Sequence, residues 1–202
     1  MYLRPVFTET DDERIHGLIE ANPFGLLITH SARGLEASHI PFLLTRVAGG
    51  FTLSGHLAAA NAQCELLDGC EALAVFGGPH AYISPGWYAT QPSVPTWDYA
   101  AVHVSGTLQA VTDRTAMTRD LQGMAADDPH KFSMDAMPSD YRDRMLEGIR
   151  AFTLLPTSVQ AQWKMSQNRS IADRERVAAA LQAQSDQASA QVAELIARTL
   201  PK

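Results

Sequence analysis

The segment "VPTWDYAAVHVSG", residues 94–106, alternates like a β-strand but opens with a crowd of large and polar side chains. Its second half, rich in valine, is typical of a strand in a sheet core. Trp97 and Tyr99 are less typical of a strand in a sheet core, because a buried indole or phenol needs a partner for its polar hydrogen. Two interpretations stay open for these rings, a core strand and the wall of a binding site. His103 fits either.

On both sides of this segment, short alternating apolar runs follow one another in close order. Turn signals such as "SARG" and "VAGG" separate several of them. The predicted strands are 25–30, 35–46, 50–56, 71–78, 80–85, 102–113, 151–157 and 159–166. In the last of these, Gln160, Gln162 and Lys164 alternate with apolar residues and predict one solvent-facing side. This spacing indicates an antiparallel barrel or sandwich.

Helical signals flank and interrupt the predicted strands. Thr10 and Glu13 form a capping-box pattern before the first helix, which the "NPFG" sequence ends. The other predicted helices are an insertion at 58–69, a helix from the cap Asp113 to Met124, a short helix from about Ser139, and two C-terminal helices capped by Asp173 and Asp186. The pattern predicts a mainly β protein with flanking helices, of the α+β class.

Composition restricts the function classes. The chain has 202 residues, a formal charge of −6 and 46% hydrophobic residues, which suits one globular domain and argues against a surface that matches DNA throughout. No signal peptide or membrane span is expected, and the expected compartment is the cytoplasm. Cys64 and Cys70 are expected to be buried small hydrophobes. Metal-site spacings, a Gly-x-Ser-x-Gly elbow and nucleotide-binding glycine patterns are not found in the sequence.

Two stretches have the chemistry of an anion site. In "LSGHLAAANAQ", residues 53–63, a strand leads into the expected helical insertion, so Ser54 and His56 would join free backbone N–H groups in holding a phosphate. A plain helix cap is the alternative. His39 in "ASHIPF" could add a contact, or be an ordinary strand histidine.

The second stretch is "KMSQNR", residues 164–169. It supplies a dense set of hydrogen-bond donors where a strand ends: Lys164, Ser166, Gln167, Asn168 and Arg169. An anionic ligand with several acceptors would use such a set. A solvated loop is the alternative, because loops favour the same residue types.

Six stretches together resemble one known family, the PaiB-type FMN-binding negative transcriptional regulators. In chain order they are "NPFG", "SHIPF", "LSGHLAAAN", "FGGPHAYISPGWY", "VPTWDYAAVHVSG" and "WKMSQNRSIADR", which span about residues 1–176. The resemblance implies a split β-barrel of the flavin-reductase and pyridoxamine-phosphate-oxidase kind. It also implies a homodimer with FMN at the subunit interface. On this basis residues 1–170 would form the FMN-binding domain and 171–202 a helical extension.

The resemblance also implies which residues contact the cofactor. They are Ser38, His39, Ser54, His56, Asn61, Trp97, Tyr99, His103, Lys164, Ser166, Gln167, Asn168 and Arg169. His39 and His56 stand where related oxidases have Arg or Lys, which predicts a modest or pH-dependent affinity for FMN. Asp98 stands where Asn is commoner, and it is expected to point away from the phosphate. Cys64 replaces a bulky aromatic residue.

Two functions of different class follow. In the first, a flavin-binding homodimer acts as a negative regulator of transcription, and any DNA contact would come from the C-terminal region with Arg169, Arg174 and Arg176. In the second, the chain is a small FMN-dependent oxidoreductase that uses NAD(P)H, with His103 and Tyr99 as candidate proton donors. Haem is a third, less favoured cofactor, because the donors suit a phosphate better than axial ligation.

Overall fold

The computed structural model describes residues 1–201. Within them, seven β-strands and five α-helices form the regular structure. The strands are β1 (Phe24–Ser31), β2 (Gly34–Pro41), β3 (Leu43–Val47), β4 (Gly50–Ala58), β5 (Glu71–Ile83), β6 (Thr96–Val111) and β7 (Ile149–Lys164). The helices are α1 (Asp12–Ala21), α2 (Arg114–Met124), α3 (Ser139–Glu147), α4 (Ile171–Gln182) and α5 (Gln187–Ala197). The predicted α+β class is confirmed.

One sheet holds all seven strands in the order β2-β1-β5-β6-β7-β4-β3. The pairs β1–β2, β1–β5, β3–β4 and β4–β7 are antiparallel. Tight turns make two of these pairs hairpins. Gly34 has φ of 109° at the β1–β2 turn and Gly49 has φ of 84° at the β3–β4 turn, a backbone region that residues with a Cβ rarely adopt. Among the described residues, no helix is long and apolar enough to cross a membrane.

The chain divides into two compact units. The first unit consists of residues 1–18, 77–102 and 160–201, and the second of residues 19–76 and 103–159. The three long strands β5, β6 and β7 therefore contribute residues to each unit. The predicted boundary at residue 170 stays a prediction.

Aromatic packing forms the core of the second unit. The Phe42 ring meets Phe76 edge-on at 5.2 Å between centroids and Phe152 at 6.2 Å. Leu27 of β1 and Leu53 of β4, which belong to the same unit, are fully buried. Such burial contributes about 25 cal/mol per Å² of apolar surface, so these side chains hold the unit together.

The first unit is closed by its C-terminal helices. Val177 and Leu181 of α4 and Val192 and Ile196 of α5 are buried, in the spacing of one apolar face on each helix. Asp186 caps α5 as predicted, because its side chain accepts a hydrogen bond from the Ser189 N–H.

Several predicted strand boundaries were wrong. The run 35–46 is two strands, because β2 ends at Pro41 and β3 begins at Leu43, with the buried Phe42 between them. Conversely, the predicted strands 71–78 and 80–85 merge into the single strand β5, which ends at Ile83, and 151–157 and 159–166 merge into β7, which ends at Lys164. Proline and glycine within these long strands do not interrupt them, although such residues are usual breaking signals.

Two predicted caps were also wrong. Asp11, not Thr10, accepts the hydrogen bond from the Arg14 N–H at the start of α1. Ser170, not Asp173, caps α4, and its side chain accepts from the Asp173 N–H. In both cases a neighbouring residue with an equally suitable oxygen takes the cap. The Asp113 cap of α2 and the start of α3 at Ser139 agree with the prediction.

Burial differs from the sequence pattern at three residues. Gln162 is 4% exposed, although its strand was expected to leave it in solvent. Cys64 and Cys70 are only partly buried, and both are free thiols. Each thiol donates to a backbone carbonyl, Cys64 to Ala58 and Cys70 to Glu71, so they act as weak donors in loops rather than as core residues.

Candidate functional site

The predicted contact residues fall into two groups, one in each unit. The second unit holds Ser38, His39, Ser54, His56, Asn61 and His103; the first holds Trp97, Tyr99, Lys164, Ser166, Gln167, Asn168 and Arg169. Each group is described within its own unit.

Strand β4 presents Ser54 and His56 on one side, because side chains two positions apart share a face of a strand. The His56 Nδ1 is buried and, within residues 1–201, has no hydrogen-bond partner. Burial lowers the pKa of His56, which favours the neutral imidazole. A buried imidazole nitrogen without a partner indicates a bonding group that the chain itself does not supply.

The expected strand–helix junction after His56 was wrong. Strand β4 continues to Ala58, and only a five-residue 3-10 helix, Ala62–Leu66, follows. Its start is capped by the Asn61 side chain, which accepts from the Gln63 N–H. Because so short a helix has little dipole, its N-terminus does not provide the phosphate site that the sequence predicted. Any phosphate bound in this region would be held by side chains.

Asn61 links this turn to strand β2. Its Nδ2 donates to the Ser38 Oγ over 2.9 Å, and its Oδ1 accepts from the Gln63 N–H over 2.9 Å. The Ser38 hydroxyl hydrogen therefore stays available to donate to a ligand.

Ser38 and His39 face opposite sides of β2, because they are consecutive residues of one strand. The exposed His39 ring stacks on Phe24, with centroids 5.9 Å apart and an angle of 17°. His103 of β6 is half-buried, and burial lowers its pKa. One flat strand therefore does not aim Ser38 and His39 at the same side.

In the first unit, β6 begins at Thr96, so the aromatic residues belong to the strand itself. Trp97 is 53% exposed, which excludes the core interpretation for its ring. Its neighbours are two other rings of this unit, His80 at 6.1 Å and Tyr82 at 6.0 Å between centroids. Tyr99 is half-buried and its hydroxyl accepts a hydrogen bond from the Gln162 Nε2.

Asp98, between these rings in sequence, is the buried residue of the set. Its carboxylate is fully buried, accepts from the Ser166 Oγ over 2.6 Å and lies 3.3 Å from the Lys164 Nζ. Burial raises the pKa of Asp98, and the hydrogen bond from Ser166 and the charge of Lys164 oppose that rise. Lys164 also donates to the Thr96 Oγ1 and to the Trp97 carbonyl.

The predicted donor loop bonds mostly to its own surroundings. Gln167 accepts from the Met165 N–H and donates to the Trp163 carbonyl. The Arg169 guanidinium lies 4.2 Å above the centre of the Tyr88 ring. Asn168 is the exposed member. The density of polar residues seen in the sequence is therefore explained in large part by the loop's internal contacts.

The first unit also contains a cavity of about 400 Å³ that the sequence did not reveal. Predicted residues Trp97, Tyr99 and Lys164 line it, together with Arg4 and Gln162, which were not predicted. The N-terminal segment reaches it because Thr8 forms a β-bridge with Gln162 of β7. No local sequence signal connects positions so far apart in the chain.

The family comparison covers most of the chain. Residues 1–158 match the family described as "Putative FMN-binding domain". The chain is 31% identical to the Protease synthase and sporulation protein PAI 2 of Bacillus subtilis, over 100% of this chain and 99% of that protein. It is 28% identical to an uncharacterized protein of Aspergillus fumigatus, over 88% of this chain and 89% of that one.

Solved structures share the architecture at much lower identity. The FAD and heme binding protein of Mycobacterium smegmatis aligns with a TM-score of 0.59 and 15% identity, over 78% of this chain and 73% of that chain. A flavocytochrome of Azotobacter vinelandii aligns with a TM-score of 0.58 and 10% identity, over 80% and 72% respectively. At such identities the likeness concerns the fold, and it confirms the predicted split β-barrel.

The residues of the second unit fit the phosphate of FMN. Ser38 keeps a free hydroxyl hydrogen, and His56 keeps a buried ring nitrogen without a partner among the described residues. Both suit an anionic group with several acceptor oxygens. The match over residues 1–158 and the identity along the full chain agree with this fit. The chain belongs to the FMN-binding domain family whose PaiB-type members it resembles, and FMN is the cofactor.

Proposed function

We propose that the protein is an FMN-binding homodimer that acts as a negative regulator of transcription. The observation that carries the flavin part is the buried His56 Nδ1, which lacks a partner within residues 1–201 in a chain of an FMN-binding family. The regulatory part is supported by the full-length similarity to a Bacillus subtilis protein named for protease synthesis and sporulation.

The phosphate contacts are proposed for the second unit. His56 and Ser54 approach from β4, and Ser38 and Asn61 are already joined by a hydrogen bond. His39 faces the other side of β2 from Ser38, so we propose it as a separate flavin contact and not as part of this phosphate group. Because these residues include no Lys or Arg, the affinity would depend on hydrogen bonds and on partial protonation of histidine.

Further flavin contacts are proposed for the first unit and tested independently. The exposed Trp97 and the half-buried Tyr99 offer aromatic surface for the ring system, and Asn168 and Arg169 offer donors. We also propose His103 of the second unit as a flavin contact. FMN, when bound, supplies the redox chemistry, while these residues bind and orient it.

The C-terminal arginines offer DNA less than their number suggests. Arg174 donates to the Thr199 carbonyl and hydroxyl, and Arg176 donates to the Trp87 carbonyl over 3.0 Å. Arg169 is stacked on Tyr88. Arg176 is exposed, but side chains that are engaged in contacts within the protein are less available to neutralise DNA phosphates.

The test of the flavin part is the affinity for FMN of the dialysed protein, measured by isothermal titration calorimetry. His56→Ala is expected to weaken binding about tenfold, the loss of roughly one charge-assisted hydrogen bond. His130→Ala is the matched control, because His130 is an exposed loop histidine of the same unit. Equal affinities of wild type and His56→Ala would remove His56 from the site.

The test of the regulatory part uses DNA from directly upstream of the protein's own gene. Salt-sensitive binding that changes on addition of FMN supports regulation. Absence of DNA binding together with bleaching of bound flavin by NAD(P)H would overturn it in favour of an FMN-dependent oxidoreductase.

A further inference from the structure

The cavity of the first unit has the size of a small-molecule site. Its volume is about 400 Å³, within the range of ordinary ligand pockets. It is lined by the N-terminal segment and by residues of β6 and β7. The phosphate contacts proposed above belong to the second unit, and of the proposed ring contacts only Trp97 and Tyr99 line this cavity, so the roles of Arg4 and Gln162 remain to be assigned.

The charge of this cavity is positive. Arg4 and Lys164 line it, and its described lining includes no carboxylate. The Arg4 guanidinium stacks 5.3 Å above the Phe7 ring and forms no salt bridge within residues 1–201. Lys164 is balanced by Asp98. The excess positive charge therefore comes from Arg4 and from the terminal amine of Met1, which donates to the Gln160 side-chain oxygen.

The cavity of about 460 Å³ lined by residues of α2 and α3 in the second unit shows the contrast. There, Arg114 pairs with Asp143 over 2.8 Å and Arg142 with Asp135 over 3.3 Å. Those arginines already have carboxylate partners. Arg4 has an open face for an anion.

Two hydrogen-bonding groups add to the charge. The Tyr99 hydroxyl accepts from the Gln162 Nε2, which leaves its O–H free to donate. Gln162 is 4% exposed and its Oε1 has no partner among the described residues. A buried amide oxygen without a partner indicates a donor that the chain does not supply.

Trp97 gives the site a flat wall. Its ring is 53% exposed and is braced edge-on by Tyr82. A planar ring could stack on the indole face that remains, as aromatic pairs prefer.

We propose that this cavity binds a small planar ring that carries a negatively charged or carbonyl oxygen beside an N–H or O–H donor. The oxygen contacts Arg4 and Tyr99, the donor contacts Gln162, and the ring packs on Trp97. The positive charge of the lining favours an aromatic carboxylate separate from the cofactor. The proposal rests on the first unit alone and requires neither a dimer nor DNA binding.

The experiment titrates two probes, salicylate and lumiflavin, separately into the full chain, by calorimetry, before and after saturation with FMN. Arg4→Ala and Tyr99→Phe are each expected to weaken binding about tenfold, which corresponds to about 1.4 kcal/mol. Arg198→Ala is the control, because Arg198 is an exposed arginine of the same unit that does not line the cavity. Circular dichroism checks that each variant is folded.

The outcomes separate the two ligand sources. Salicylate binding that persists in the FMN-saturated protein identifies a site for a separate aromatic carboxylate. Binding of lumiflavin that FMN abolishes, together with loss of salicylate binding, shows that the cavity is the flavin-ring site of the proposed function and overturns this inference. No binding of either probe at millimolar concentration, or binding that Arg4→Ala and Tyr99→Phe leave unchanged, overturns the proposal. Loss of FMN affinity in His56→Ala reports separately on the proposed phosphate contacts.

Discussion

Asp98 shows how much one residue contributes to the first unit. It is fully buried, carries a charge, and stands between two aromatic residues that reach solvent. A charge in that position is tolerated because Lys164 and Ser166 both bond to it. Breaking a buried ion pair leaves the other charge uncompensated, which costs more than the pair contributes.

We expect Asp98→Asn to lower the free energy of unfolding by about 3 kcal/mol, because Lys164 loses its counter-charge. Adding Lys164→Met should recover part of the loss, with a coupling energy of about 1–3 kcal/mol. Urea denaturation measures both. The control is the exposed ion pair between Glu194 of α5 and Arg198, the residue that follows this helix. Disrupting this pair should lower the free energy of unfolding by about 0.5 kcal/mol or less. Additive effects of the two core substitutions would show that the pair is not coupled.

His56 predicts how FMN affinity depends on pH. Burial lowers its pKa, so it is largely neutral near pH 7, and an adjacent phosphate would favour the protonated ring. Binding then takes up a proton, and the affinity rises as the pH falls, by at most about tenfold per pH unit. FMN loses phosphate charge below pH of about 6, which also changes the affinity. Comparison with His56→Gln therefore isolates the contribution of the imidazole to the pH dependence. Identical pH profiles for the two proteins would contradict this role.

Among the elements, β6 and β7 approach each other most closely at a glycine. A Cβ on Gly106 would lie 2.3 Å from the Leu155 carbonyl oxygen, which is backbone and does not yield. We expect Gly106→Ala to destabilise the protein by about 3 kcal/mol or more. At Gly77 of β5 a Cβ would meet nothing within 4 Å, so Gly77→Ala should change stability by no more than about 0.5 kcal/mol. Thermal unfolding of the two variants is the comparison, and equal midpoints would contradict the close approach.

Asp173 joins α4 to the segment that precedes β6. Its carboxylate accepts from the Ala89 N–H over 2.7 Å and from the Thr90 hydroxyl over 3.0 Å. Burial acts to raise its pKa, but these hydrogen bonds outweigh it and the pKa is lowered. The stabilisation is therefore present above the unfolded-state pKa and is lost as the pH falls through the folded-state pKa.

We expect Asp173→Asn to remove that part of the acid sensitivity and to expose the Ala89 and Thr90 amides to hydrogen exchange. Exchange followed by NMR at neutral and acidic pH measures both. Asp113, an exposed cap in α2 of the second unit, provides the matched Asp→Asn control. Unchanged protection of the two amides in Asp173→Asn would refute the link.

The sequence predicted elements well where the signal was local. The caps Asp113 and Asp186 and the alternation of β1 and β4 follow from neighbouring residues, and the structure has them as predicted. The insertion at 58–69 was predicted as a helix between the strand that ends at His56 and Gly69, but β4 extends to Ala58 and only a five-residue 3-10 helix follows. Pairing of β4 with β7 decides that extension, and it depends on residues almost a hundred positions away.

The same limit applies to the candidate site. His56 and Trp97 were predicted as contacts from residue type and motif, and they stay predictions, although the structure leaves the His56 Nδ1 without a partner among the described residues and the Trp97 ring exposed. The burial of Gln162 and the place of Arg4 depend on the N-terminal segment lying beside β7, which no periodicity encodes. Sequence composition also overstated the number of donors that the loop at 164–169 offers to a ligand. It does not show that Lys164 and Gln167 form hydrogen bonds to Asp98 and to the Trp163 carbonyl.

At the scale of the molecule, the proposed contacts occur in both units of a chain that is similar in sequence to its relatives from end to end. A homodimer would bring two copies of each group together, so that one flavin per subunit is the natural stoichiometry. The dimer and the flavin site are therefore best measured in one experiment.

The most direct measurement is the flavin content and mass of the purified chain, saturated with FMN, after gel filtration with light scattering and visible absorbance. We expect a particle of twice the 22.0 kDa chain mass that retains about one FMN per subunit. A particle that elutes without flavin absorbance at micromolar concentration would contradict the central claim, whatever its mass.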